Sequence, residues 1–278
     1  MKFNINGLDL VQDADGFGYI VQGLSNPFTK KYSVSDILQR HGVVLGKSRF
    51  GGKTFSFTVF INGRDPADHA DKRLLLEKYL TPSYYADSDK IAIVVTLDNG
   101  SILTLDAMIT GNSNDLSSND IMSSAIQYNC QAEYPFFVSQ QKYQQIITIG
   151  KGGTFAIPFA LPLDMSSGSA VTTDFFVGGN VWAFPKFTFS GKLTTPTLVD
   201  VINQKSMTVN ATINSGASRI IDIYNESVLD NAGNNKMSEL GGDFLILPCG
   251  QNSFILSTGD VADTGIVTAE YQYHYVSI

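Results

Sequence analysis

Apolar and polar positions alternate through much of the chain, most cleanly in TFSFTVFING at 54–63, where Phe55, Phe57, Val59 and Ile61 share one side and only Phe60 breaks the order. A period of two is the mark of a half-buried strand. FNINGLDL at 3–10 and GYIVQGL at 18–24 read as further short strands, and SVSDILQRHG at 33–42 as a short helix ending before Gly42. RDPADHADKRLLLEKYLTP at 64–82 carries the strongest helical signal. Asp65 can cap the free amides, Pro66 suits the first helical position, and Leu74, Leu75, Leu76, Tyr79 and Leu80 supply an apolar face before Pro82. Such a helix should lie on a sheet.

KIAIVVTLDNGSILTLDAMI at 90–109 predicts a hairpin around Asp-Asn-Gly, a sequence able to take the positive φ angles of a tight turn. NSNDLSSND at 112–120 reads as a polar loop. In SAIQYNCQAEYPFF, at 124–137, Ile126, Tyr128, Cys130, Ala132 and Tyr134 alternate on one face. Beyond Pro135 no convincing helix is predicted. The strand candidates are QQIITI, GTFAIPFAL, TTDFFVGG, FPKFTFSG, SMTVNATI, SRIIDIYN, DFLILPCG, NSFILST and GIVTAEYQYHYVSI, spaced by Gly and Asn turns. Closely spaced strands of this kind indicate an antiparallel sandwich or barrel-like domain. The fold class is therefore mainly β: a β-rich N-terminal domain with one helix, residues 1–140, and an antiparallel sandwich or barrel-like domain, residues 141–278.

Composition narrows the partners. The 278 residues are enough for two domains with cores of their own, and 26 acidic against 19 basic side chains give a net charge of −7. No run of Lys and Arg offers the charge density that phosphate binding needs, so specific nucleic-acid binding is not expected. No stretch has the roughly 20 apolar residues of a membrane span, and the start, MKFNINGLDLVQDADGFG, lacks an apolar signal segment. Folding in a cytoplasm is expected. Cys130 and Cys249 lie far apart in apolar surroundings and read as two buried, reduced thiols.

Candidate chemistry is sparse. GVVLGKS at 42–48 has three residues where a phosphate loop has four between its Gly and the Gly-Lys-Ser, and no strand-loop-helix unit frames it. FGGKT at 50–54 and KGGT at 151–154 read as turns or inter-subunit loops. His41, His69 and His274 are too scattered to converge on a metal, and DADG at 13–16 and DNAGNN at 230–235 lack the offsets of a calcium loop. There is no nucleophile elbow. Asp222, Glu226 and Glu239 are the acids to inspect for a glycosidase pair, with turn and rim roles the ordinary reading. No catalytic, metal or cofactor residue is assigned, and an enzyme is not expected. Trp182 and the alternating Tyr271, Tyr273 and Tyr275 could stack sugar rings if they face solvent, or form a core stripe if they do not.

The order of these elements resembles the distal tail protein family of long-tailed phages, the hub at the tail end. RFGGKTFSFTVFINGRDPADHADKRLLLEKYLTP is similar to the family's Gly-rich turn, strand and Arg/Leu helix, through Gly51, Gly52, Thr54, Ile61, Gly63, Arg73, Leu74, Leu75 and Pro82. WAFPKFTFSG resembles the stretch that introduces the second domain, through Phe184, Pro185, Phe187, Phe189 and Gly191. IIDIYNESVL resembles the family's strand with a central aspartate, and FLILPCGQNSFIL its Leu-x-Pro-Gly-x-Asn hairpin, here with Cys249 between Pro248 and Gly250.

The resemblance implies a virion protein at the distal end of a phage tail, assembled in the bacterial host. Its N-terminal domain would close a hexameric ring, single or paired back to back, around a channel for DNA, and its C-terminal domain would be a galectin-like antiparallel β-sandwich. Implied partners are the tail tube, the tail-tip protein, the tape measure protein and receptor-binding proteins, without membrane insertion or cofactor. The alternative is a carbohydrate-binding adhesion protein for host cell-wall polysaccharide.

Overall fold

The computed structural model describes residues 1–23, 30–36, 43–81, 90–115, 122–149 and 172–277, with only the backbone path given for 30–36, 43–49 and 113–115. The chain is mostly strand, with a single α-helix among the described residues. It divides into two compact units, Met1–Gln140 with Tyr275–Ile278, and Gln141–His274.

The first unit is built from two antiparallel sheets that share one long strand. Lys2–Ile5 turns through Asn6 (φ 50°) and Gly7 (φ 93°) into Leu8–Leu10, the two consecutive positive φ angles that suit a tight two-residue hairpin. Lys2–Ile5 also pairs with Ile91–Thr96, which pairs with the first half of Ile102–Asp115. The second half of that strand pairs with Ser123–Ala132, after a register shift between Ile109 and Gly111. Ser123–Ala132 runs along Lys53–Asn62 for its whole length, and Gly18–Gln22 completes the sheet. A bulge in a long strand lets it bend from one sheet to the next. Between the sheets lie Ile5, Ile91, Ile93, Val95, Leu103 and Leu105 on one side and Phe55, Phe57, Val59, Ile61, Ile126 and Tyr128 on the other.

The helix Pro66–Leu80 starts as its sequence predicts: Asp65 accepts from the Asp68 amide at 2.9 Å and Pro66 follows. It is fixed to the sheet by Tyr19, whose hydroxyl donates to the Lys72 carbonyl at 2.7 Å, and by His69, whose Nε2 lies 2.9 Å from Ser124 Oγ. Gly63 makes this approach feasible, since a Cβ there would sit 2.5 Å from the His69 amide nitrogen. The expected apolar face is narrower than read. Only Leu76 and Leu80 are buried, whereas Leu74 is 65% and Leu75 41% exposed. Three consecutive leucines span 200° of a helix, and one sheet covers only part of that arc.

Other expectations also change. Ser33–Asp36 belongs to the strand Lys30–Asp36, paired antiparallel with Val43–Phe50; the rest of the expected helix, 37–42, lies outside the described residues. Residues 112–115 continue a strand and are not a loop, because the amides of Ser123–Ala132 extend the ladder to Asp115↔Ala125. The Asp-Asn-Gly hairpin closes with one left-handed residue, Gly100 (φ 82°), and with the Ser101 amide donating to Asn99 Oδ1 at 3.0 Å.

The second unit is a sandwich of two antiparallel sheets. One holds, in order, Ser227–Asp230, Ser218–Asp222, Lys186–Ser190 and the parts of Ile266–Tyr275 and Phe137–Thr148 that fall within Gln141–His274. The other holds Thr173–Val177, Gly250–Ser257, Thr197–Asp200, Lys205–Val209 and Leu240–Gly242. Phe187, Phe189, Ile221 and Val267 of the first meet Phe175, Leu198, Met207 and Phe254 of the second in one core. The stretch 243–249 is not a strand: Leu245 and Leu247 are buried, but only Leu247 bridges, to Ala183, before Pro248, which has no N–H to continue a ladder. GTFAIPFAL lies outside the described residues.

Candidate assembly surfaces

The residues singled out for chemistry are occupied by structure. Gly46, Lys47 and Ser48 lie inside the strand Val43–Phe50, where backbone amides serve a ladder and do not converge on an anion. Asp13 Oδ1 accepts from the amides of Asp15 and Phe17, and its Oδ2 pairs with Arg64 at 2.7 Å; the guanidinium holds the carboxyl below its usual range. Asp230 likewise caps its own loop, accepting from the amides of Ala232 and Asn234 at 2.9 Å. No group of three metal-ligating side chains occurs among the described residues, and no helix described is long and apolar enough to cross a membrane.

Each candidate acid is accounted for separately. Asp222 closes the hairpin between Ser218–Asp222 and Ser227–Asp230, accepting from the amides of Tyr224 and Asn225, both at 3.1 Å, while Glu226 takes φ 47° in the same turn. Glu239 is bound to Arg219 through Nε at 2.6 Å and Nη2 at 3.3 Å, which lowers its pKa. These are turn and rim roles.

The decapeptide 182–191 organises the second unit. Phe187 and Phe189 point fully inward, and Gly191 (φ 84°) passes within reach of Gly265, whose Cα a Cβ on Gly191 would meet at 2.7 Å. Upstream, Gly178 and Gly179 lie against Tyr273 and His274: a Cβ on Gly178 would fall 2.6 Å from the Tyr273 ring, and one on Gly179 2.4 Å from the His274 carbonyl. His274 is buried, with Nδ1 3.1 Å from the Trp182 carbonyl; burial pulls its pKa down and the hydrogen bond opposes this. His41 lies outside the described residues.

The tyrosines do not form a solvent-facing ladder. Tyr143 stacks on Tyr273 at 3.9 Å between ring centroids, Tyr271 sits 5.7 Å from Phe175, and Phe175 stacks on Phe254 at 5.8 Å. Tyr271 is buried in the core and its hydroxyl is pushed up to about 12 by burial. Tyr275 belongs to the other unit and contacts that unit's core.

The Pro248–Asn252 turn is held by Asn252, 1% exposed, whose amide nitrogen donates to the carbonyls of Pro248 at 3.0 Å and Gly250 at 3.1 Å. This arrangement presents Cys249 to solvent, contrary to the expected burial of both thiols. Apolar neighbours in sequence do not bury a residue at the outside of a turn. Cys130 is buried as expected, and burial pushes its thiol up to about 12.

Among the residues of the N-terminal resemblance, Ile61 is fully buried, Gly63 seats the helix, and Arg73 pairs with Glu77 at 3.1 Å. Pro82 lies outside the described residues. The feature that sequence reading missed is Lys53, 1% exposed, whose Nζ donates to the Val276 carbonyl at 2.7 Å and lies 4.7 Å from the centre of the Phe137 ring. It occupies an inward position of the same alternation that buries Phe55, which was the available signal.

These surfaces define a mainly-β protein of two sheet-built units. No protein-family model and no curated protein matches the chain. Its fold is nevertheless that of a solved protein, SPP1 Dit, described as a paradigm of the hub adsorption apparatus in phages infecting Gram-positive bacteria: the likeness covers 98% of each chain at a TM-score of 0.65 and 13% identity. A chain of the phage P2 baseplate in its activated conformation with Ca is similar over 97% of each chain, at a TM-score of 0.41 and 9% identity.

Proposed function

We propose that this chain is a phage distal tail protein, a structural and non-enzymatic component of the tail tip. The observation that carries the reading is the likeness to SPP1 Dit over 98% of both chains, which takes in both sheet-built units and the helix between strands. The order of soft motifs in the sequence, from Gly51 to Asn252, supports it independently of the fold.

In this reading residues 1–140 form the ring-making domain and 141–278 a galectin-like domain. Six copies close a ring that joins the tail tube to the tail-tip and host-adsorption proteins and leaves a central channel for DNA and the tape measure. Ring closure presents the same edge six times and leaves no protomer face uncapped. The protein is made in the host cytoplasm and resides in the virion. A net charge of −7 fits a channel wall that does not hold DNA in transit.

The test is the mass of the full-length protein in solution, with negative-stain images of the same fraction. A hexamer or dodecamer with a central hole is expected. A monomer across the concentration range, alone and with tail-tube protein added, overturns the ring.

A further inference from the structure

The helix Pro66–Leu80 has an outer face with an internal symmetry. At 100° per residue, Asp71, Leu74, Leu75 and Lys78 fall within roughly 100° of one another, on the side away from the sheet. All four are exposed. The remaining charged residues within the helix are paired along it, Asp68 with Lys72 and Arg73 with Glu77, each four residues apart. Asp71 and Lys78 have no ion pair among the described residues.

These four positions are self-complementary. The midpoint between Leu74 and Leu75 lies 3.5 residues from Asp71 and 3.5 from Lys78, about 5 Å along the axis in either direction. A second copy of the helix laid antiparallel across a two-fold axis at that midpoint would set Asp71 against the other copy's Lys78 twice and bring four leucines together between them. An isologous contact requires a patch that complements itself, which is what this order of charge, apolar pair and opposite charge supplies. A parallel copy would place like charges side by side.

We propose that this face is a homotypic docking surface, in which two copies of the chain pair antiparallel through Leu74 and Leu75 with reciprocal Asp71–Lys78 ion pairs. The contact is smaller than the roughly 1,000 Å² that a lone stable interface needs, so it is weak between free chains. It becomes effective where several copies are already held together, as two facing rings would hold them. Only that last step rests on the ring reading.

The test uses full-length protein, half of it isotope-labelled, treated with a zero-length carbodiimide reagent. Within one helix the Cα atoms of Asp71 and Lys78 are about 10 Å apart, near the combined reach of the two side chains, so only a peptide of mixed isotope composition reports a contact between copies. The expected product is a mixed-isotope peptide joining Asp71 to Lys78. Sedimentation equilibrium at low salt should show a mass-doubling step, whether monomer to dimer or ring to paired ring. Asp71→Lys and Lys78→Asp should each weaken that step roughly tenfold or more, because each turns two attractions into repulsions. The double reversal should restore both the step and the crosslink, now from Lys at 71 to Asp at 78. Absence of the mixed peptide, of the doubling step, or of rescue in the double variant overturns the pairing. A hexamer that forms but does not double separates failure of this contact from failure of the ring.

Discussion

Lys53 Nζ donates a hydrogen bond to the carbonyl of Val276 at 2.7 Å, linking two residues 223 positions apart in the chain. The side chain enters the core because Lys53 opens the strand Lys53–Asn62 on its inward face, in line with Phe55, Phe57, Val59 and Ile61. Its ammonium keeps one acceptor and the face of Phe137 but loses its water. The end of the chain is thus held to the first unit by a buried cation.

Burial lowers the Lys53 pKa from 10.5 to about 8. The unfolded chain therefore binds the proton more tightly than the folded one, and stability rises with pH through the window from about 8 to 10.5. At 1.36 kcal/mol per pH unit the gain is about 3 kcal/mol. Urea denaturation of wild type and Lys53→Met at a series of pH values should give curves that diverge in favour of wild type across this window. Parallel curves would show that the lysine is not desolvated in solution.

Gly179 combines a left-handed backbone, φ 95°, with a carbonyl 2.4 Å from where a Cβ would lie. Gly216 has a similar φ, 84°, and open space around it. Gly216→Ala should cost about 1–2 kcal/mol, the strain of the left-handed region alone. Gly179→Ala must also displace the His274 carbonyl from its place beside the Asn180 amide, 3.1 Å away, and should cost more than about 3 kcal/mol. Equal losses in denaturation midpoint would mean that the Gly178–Gly179 turn yields easily.

The two thiols should separate cleanly in a titration with a disulfide dye. Cys249 is exposed at the Pro248–Asn252 turn, while Cys130 is 2% exposed with its pKa pushed up to about 12. Because the thiolate is the reacting form, native protein should release one equivalent of dye rapidly and the second only in denaturant. Two rapid equivalents would contradict the burial of Cys130.

Much of this architecture was legible because alternation is local. The inward faces of Lys53–Asn62 and Ser123–Ala132 follow directly from their spacing, and the Asp65–Pro66 helix start from its cap. Strands of four residues, such as Thr197–Asp200 and Ser227–Asp230, are too short to show a period and exist only through their partners. Ser33–Asp36 read as helix because its own residues carry no sign of the pairing with Val43–Phe50 that decides its state. The candidate surfaces were harder still. Nothing in the order Leu74-Leu75-Leu76 says which leucine meets the sheet until the helix is docked.

That docking yields a sharp contrast between neighbours. Leu76 is fully buried in the first unit's core and Leu74 is 65% exposed, two residues away on the same helix. Leu76→Ala removes apolar contacts and leaves a cavity beside the sheet, at a cost of about 2–5 kcal/mol. Leu74→Ser changes an exposed side chain and should alter the stability of the folded chain by less than about 1 kcal/mol. Chemical denaturation of both variants, at a concentration low enough to suppress self-association, should resolve this difference. If the two losses were similar, the helix would have to sit on the sheet rotated about its axis, with Leu74 turned inward and the symmetric outer face no longer available to a second copy.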